Sequence, residues 1–240
     1  MRAETRRQLK QDKFSRATLD AAEKTVHWTV EHKSKLITGG IIAVAVIGAA
    51  LAGWYHLDRQ NQKASSELTQ VVRTLDTPIV PAGTPPQPDV TSFDSAQARA
   101  IAATKQLQAI VDKYPHTRTA DVARYLLGTT AIDLGDKATA ERELKEAASG
   151  PSDLAALAKL ALANLYASDN RTQNAVNLYK QLINKPTVTV SKATAQLALA
   201  QLYENTQQPQ EAKRIYQQIR EENPAGDAAS VAQTRLQNLK

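Results

Sequence analysis

The side chains best equipped for chemistry are four histidines and one cluster of alternating charges. His27 and His32 are five residues apart, about 140° around a helix, so they do not share a face as a metal-binding i,i+4 pair would. His56 closes an apolar run, and His116 follows Tyr114-Pro115 in an expected turn. Their spacing fits solvated or interfacial side chains and matches no metal site. Glu141, Glu143 and Glu146 alternate with Arg142 and Lys145, a pattern of an ion-paired exposed helix face more than of an acid/base pair. Neither a phosphate-binding glycine loop nor a nucleophile elbow is present. The chain has no cysteine, which removes disulfides, zinc fingers and thiol catalysis together and suits an oxidising compartment. No catalytic residue, metal site or cofactor is expected, and the chain is read as no enzyme.

The chemistry that remains belongs to membranes and to protein surfaces. Leu36 to Leu57 form 22 residues without a formal charge; as a helix the run is about 33 Å long, enough to cross a hydrocarbon core. Trp54-Tyr55 at its end are residues that favour the headgroup boundary. Residues 1–35 carry nine Lys/Arg against five Asp/Glu, whereas residues 36–92 carry three against four. Basic flanks stay on the cytoplasmic side. The expected layout is a bacterial inner-membrane protein with its N-terminus cytoplasmic and its bulk periplasmic. A second reading stays open: Ala50-Leu51-Ala52 before Gly53 fits a signal-peptide site, with cleavage after Ala52. The 35-residue charged leader and the continuation of the run through Leu57 speak against it. Ala45, Ala49 and Gly53 recur every fourth residue, a spacing that lets helices approach closely in lipid, toward a translocon or a second copy. In the basic tail Leu19, Ala22, Val26 and Val30 share a weak stripe, which fits either a helix lying on anionic lipid or a solvated tail that only sets topology.

The elements after the run are all helical in pattern. Hydrophobic residues make up 42% of the chain but aromatics only 5%, which suits short helices packed through alanine. The best β-branched run is Thr187–Val190, just after a proline. Ala64, Leu68, Val71/Val72 and Leu75 continue a helical stripe, so a helical extension is expected over 58–76. Pro78, Pro81, Pro85, Pro86 and Pro88 then predict a semi-rigid exposed linker over 77–92. Residues 93–240 carry 18 basic and 15 acidic residues, too even a balance for nucleic acid binding.

A repeat governs that last part. Leu127-Gly128, Ala131, Gly135, Ala140, Leu144, Ala147 and Pro151 return as Leu162-Ala163, Tyr166, Asn170, Ala175, Tyr179, Leu182 and Pro186. They return again as Leu199-Ala200, Tyr203, Gln207, Ala212, Tyr216, Ile219 and Pro224. Gly128 to Ala163 is 35 residues and Ala163 to Ala200 is 37. Small residues let two helices touch, the larger one four positions after the second alanine fills the gap to a neighbour, and the proline ends the unit. These residues resemble the tetratricopeptide repeat. The resemblance implies an α-solenoid of about three and a half repeats, so with the apolar run the chain reads as all-α, a single transmembrane helix (36–57) followed by that solenoid. Ala103, Leu107, Ile110 and Tyr114-Pro115 match a second helix whose first is missing or supplied by the linker, and Asp227–Leu239 reads as a capping helix with Val231, Arg235 and Leu239 on one stripe. The pattern is divergent: Arg124, Lys159 and Gln196 stand where the family carries an aromatic.

The layout as a whole resembles the bacterial ancillary subunit of the Sec translocon, whose repeat type is shared with a periplasmic cell-division coordinator. That resemblance implies a membrane-anchored protein–protein adaptor in export or envelope quality control, its partners a translocon, a chaperone or an unfolded client. An oligomeric scaffold for envelope or division machinery is the alternative. The resemblance further places a partner-binding groove on the first helices: Val122, Tyr125, Thr129 and Asp133; Leu157, Leu160, Asn164 and Ser168; Thr194, Leu197, Gln201 and Asn205. Repeat proteins that clamp a C-terminal carboxylate need Lys or Arg in this set, which holds none. Its apolar and amide side chains suit extended chain, although the same residues could pack between repeats.

Overall fold

A computed structural model describes residues 33–80, 92–150 and 153–239. The basic tail, with its stripe and with His27 and His32, and most of the Pro-rich stretch lie outside the described residues. Nine helices are described, and among the described residues the sole β feature is an isolated parallel bridge between Ile79 and Phe93. They are α1 (Lys33–Asp76), α2 (Ala96–Lys113), α3 (Arg118–Asp133), α4 (Lys137–Ala148), α5 (Asp153–Ser168), α6 (Thr172–Asn184), α7 (Lys192–Asn205), α8 (Pro209–Glu222) and α9 (Asp227–Asn238).

The chain divides into two compact units, Met1–His56 and Leu57–Lys240, and α1 contributes to both. Within the first unit the apolar side chains of α1 are uncovered: Ile41 is 65% exposed and Trp54 68%. This helix is long and apolar enough to cross a membrane.

The second unit is a solenoid of helix pairs. α3/α4, α5/α6 and α7/α8 are the three repeats read from the sequence, and α9 closes the last. The small residues do what their spacing predicts. A methyl group on Gly128 would fall 2.6 Å from Leu144 Cγ, so only glycine admits α4 at this distance. Ala163, Ala175, Ala200 and Ala212 are fully buried, and Leu144, Tyr179 and Tyr216 fill the gaps beside them. Each repeat turns from its first helix to its second through one residue in the left-handed region. These are Gly135 (φ 77°), Asn170 (φ 57°) and Gln207 (φ 58°). In each turn the next amide returns to a carbonyl five residues back, Asp136 to Ala131, Arg171 to Tyr166 and Gln208 to Tyr203, all at 2.8 Å. That bond satisfies helix-end carbonyls and fixes the antiparallel return. Ser95, Thr117, Asp136 and Ser191 cap the N-termini of α2, α3, α4 and α7 through their side-chain oxygens.

The structure completes the half repeat in a way the sequence did not suggest. Residues 58–76, read as an extension ahead of the domain, belong to the first helix of an additional pair, the first along the chain. Ala64 and Val71 are buried in one core with Ala103, Leu107, Ile110, Val111 and Tyr114, flanked by Leu68 and Leu75. The pairing is antiparallel: Thr74 bonds Gln106 at 3.0 Å, while Glu67 accepts from Lys113 Nζ at 2.6 Å and from Tyr114 OH at 2.9 Å. Lys113 holds the Glu67 carboxyl below its ordinary value. Asn61 Oδ1 accepts from the Thr119 amide at 3.1 Å, tying the same segment to α3. The packed unit therefore begins at Leu57, and the Pro-rich stretch falls in sequence between the two helices of the first pair. Its described ends are joined: the Val80 amide donates to Phe93 O at 2.8 Å and the Phe93 amide to Pro78 O at 3.0 Å. A second difference lies in the cap. Ala229 and Ala232 are its buried residues, and Leu236 and Leu239 pack beside them, whereas Val231 is 47% exposed and Arg235 pairs with Glu204. Of the expected stripe, Leu239 alone packs inward.

Candidate functional site

The expected groove residues do not stay together. Asn164, Ser168, Gln201 and Asn205 come together in one depression of about 300 Å³ between α5 and α7. Tyr179, Asn170 and Thr206, with the apolar Ala167, Ala198 and Leu202, complete its wall. Asp133 lies elsewhere, in a cleft of about 590 Å³ with Arg99 and Leu75. The apolar members are spent on packing. Leu157 and Leu160 lie against the core of Leu182, Val190 and Ala195; Tyr125 lies against the central core, and Leu197 against that of Tyr216 and Ile219. Thr129 returns its hydroxyl to its own helix at Leu126 O, 3.0 Å away. Val122 is half-buried, and Thr194 is exposed at the start of α7.

The depression has a definite chemistry. The Tyr179 hydroxyl donates to Asn164 Oδ1 at 2.6 Å, which anchors that amide while its NH₂ keeps no partner among the described residues. Burial pushes the Tyr179 hydroxyl up to about 12, so it remains a donor through all ordinary pH. Gln201 and Asn205 are exposed, and their amides make no hydrogen bond among the described residues. Three primary amides on two adjacent first helices thus face one small space, each able to donate and accept as a peptide backbone does. Sequence reasoning missed Tyr179, assigned only as filler, and the turn residues Asn170 and Thr206. The recurrence of turn positions seven residues after each small residue was the signal that could have placed Asn170 at the rim.

The charge cluster on α4 is an inter-repeat lock. Glu141 accepts from Arg171 Nη1 at 2.5 Å, Lys145 Nζ at 2.6 Å and Tyr166 OH at 3.0 Å. Arg171, foremost, with Lys145 and Tyr166, holds its carboxyl down to about 2. The Arg171 guanidinium also stacks on the Tyr166 ring, 4.1 Å from its centre. Glu143 departs from the expected exposed face: it is 5% exposed and bonded to Arg142 Nε at 2.8 Å. It occupies the place of Leu178 and Ile215 in the later repeats, an inward position. His116 is exposed in the turn after Pro115. Ala45, Ala49 and Gly53 are exposed on α1, and a methyl group added at Gly53 would meet nothing within 4 Å.

A tetratricopeptide repeat-like domain model matches residues 26–187, more than half of the chain. The chain belongs to the tetratricopeptide repeat-like domain family. A separate tetratricopeptide repeat model matches residues 194–225, so the family's pattern extends across α7 and α8. No curated protein sequence matches the chain. Among solved structures, a tetratricopeptide repeat protein from Parabacteroides merdae is 19% identical, with a TM-score of 0.54. The match covers 74% of this chain and 60% of that one, so this chain spans well under the whole length of that relative. At such identity the likeness concerns the fold alone. The first match includes the end of the basic tail, the apolar helix and the Pro-rich stretch, in keeping with a repeat domain that begins before that stretch. Tetratricopeptide repeats are protein-interaction modules, which favours a protein-binding role for this chain.

Proposed function

We propose that this protein is a non-enzymatic, single-pass adaptor of a bacterial inner membrane, its N-terminus cytoplasmic and its repeat domain periplasmic. The repeat domain holds a protein partner in export or envelope quality control, beside the Sec translocon or its chaperones. The observation that carries the reading is the depression of unspent amides between α5 and α7, on a chain that also bears an uncovered apolar helix. Ile37, Ile41, Ile42, Val44, Val46, Ile47 and Leu51 are each at least 58% exposed. At about 1.5–3 kcal/mol per such side chain, leaving them in water forgoes about as much free energy as a whole domain's stability. A bilayer recovers it. The amides suit extended chain through backbone hydrogen bonds.

The test is co-purification from detergent-solubilised membranes by an affinity tag at the C-terminus. Translocon subunits or export chaperones should be enriched, and enrichment should fall when Asn164 and Gln201 are both replaced by alanine. Enrichment of further copies of this chain alone, unaffected by those replacements, would instead make it an oligomeric scaffold.

A further inference from the structure

Counted from the N-terminal pair, the third repeat (α5/α6) and the fourth (α7/α8) superpose by sequence at a spacing of 37 residues, and one corner differs in charge. In the fourth repeat, Glu222 at the end of α8 is held by three donors. Lys192 Nζ lies 2.7 Å away, Gln218 Nε2 2.8 Å and Gln196 Nε2 3.4 Å. Gln196 is 2% exposed, so this corner is built into the repeat. The matching residues of the third repeat are Ala155 for Lys192, Lys159 for Gln196, Gln181 for Gln218 and Lys185 for Glu222. The amide is kept at 181, the ammonium at 192 is lost to Ala155, and lysines stand in place of the second amide and of the acid. A cavity of about 590 Å³ stands there, lined by Lys159, Gln181, Lys185, Asn184 and Thr187, with no Asp or Glu among its described lining. Neither ammonium has an ion-pair partner among the described residues. Alanine at 155, in the place of the long Lys192 side chain, opens the space.

We infer that this cleft between α5 and α6 receives an acidic side chain of a partner protein, its carboxylate held by Lys159, Lys185 and Gln181. The inference rests on the protein-binding reading of the repeats. The guest is assigned as a protein carboxylate because the fourth repeat's own guest is a glutamate side chain. Its geometry shows that two amides and one ammonium suffice to seat it. In the third repeat two ammoniums and one amide offer the same donor count with one more charge. The cleft is separate from the amide depression, which has no basic residue in its wall. It could grip an acidic position of the same bound chain or of another partner.

The test uses the full chain in detergent, with a fluorescent hexaglutamate peptide read by anisotropy and hexaglutamine as its neutral counterpart. Hexaglutamate should bind and hexaglutamine should not. Losing one charged donor weakens such a contact by about tenfold or more, so Lys159→Gln and Lys185→Gln should each do so. Lys185→Glu should abolish binding by supplying an internal guest, while melting at or above the parent temperature, which separates loss of the site from loss of fold. Lys105→Gln with Lys213→Gln, both exposed on other helices, should leave affinity within about twofold because exposed charges contribute little singly. Equal binding of hexaglutamine, absence of hexaglutamate binding, or an equal loss in the Lys105/Lys213 variant would overturn the inference. Displacement of hexaglutamate by equimolar inorganic phosphate would reassign the cleft to free anions and overturn the protein guest. Failure here with intact co-purification of partners would remove the cleft and leave the adaptor reading standing.

Discussion

The three left-handed turn residues allow the repeat geometry to be tested without touching the core. Gly135, Asn170 and Gln207 hold the same place with φ of 77°, 57° and 58°. An L-residue in this region is strained by about 1–2 kcal/mol. Glycine removes the strain but is freer in the unfolded chain by about 0.5–1 kcal/mol. For Gln207, which has no intrinsic preference for the region, the difference leaves Gln207→Gly more stable by about 0.5–1 kcal/mol. Asparagine tolerates the conformation, so Asn170→Gly should change little. Gly135→Ala should lose about 1 kcal/mol by the same balance reversed. A domain of this size shifts its midpoint by about 2–4 °C per kcal/mol. Gln207→Gly should therefore raise the midpoint by about 1–4 °C. Gln207 lies in the last repeat, and repeat arrays unravel from their ends, so the substitution acts where melting begins. Thermal unfolding of the full chain in detergent, followed by far-ultraviolet circular dichroism, measures all three. A midpoint that falls for Gln207→Gly, or a gain at Gly135→Ala, would refute the assignment of these turns.

Gly128→Ala should destabilise by about 1–3 kcal/mol despite alanine's helix propensity, because its methyl would meet Leu144 at 2.6 Å and Leu144 is fully buried; Ala163→Leu should do the same by overpacking, and unchanged melting of both would place the repeats in another register. Glu141 is held down to about 2 from an ordinary 4.5, chiefly by Arg171. The folded value lies below the unfolded one, so its contribution is full above pH 4.5 and is lost as pH falls toward 2. Melting of Glu141→Gln should accordingly depend less on pH than the parent across that window. A reporter active only after export should work when fused after Asp76 and stay silent near Lys33; activity at Lys33 alone would reverse the topology.

The sequence made the repeats legible because their markers are local and periodic. Gly128, Ala163 and Ala200 with their turns recur at a spacing that no tertiary knowledge is needed to see. The first pair was hidden for a physical reason. Its two helices are separated by the Pro-rich stretch between Asp76 and Ala96, where the other pairs turn within three or four residues. The contact of Ala64 and Val71 with Leu107 and Ile110 is therefore long-range in sequence. In the cap, alanines do the packing, and the larger Val231 drew attention to the wrong stripe. In the groove, the family resemblance placed twelve residues on one set of helices, but it could not divide those that face solvent from those that face the next repeat. Leu157, Leu160 and Leu197 went inward, and aspartate at these positions would unfold the repeats before it reported on binding. The amides stayed outside because they need no burial. The cleft at Lys159 and Lys185 was visible only as a missing aromatic, since its meaning depends on the ion cluster around Glu222 in the next repeat.

The central claim is that the amide depression holds a protein partner. It is tested most directly by placing a photo-crosslinking residue in living cells at Asn164, Gln201 or Asn205, and at Lys105, Lys213 and Gln218 as exposed positions outside the depression. The account predicts a discrete adduct with an export or quality-control protein from the first three positions and none from the others. No adduct from the depression, or the same adducts from all six positions, would contradict it.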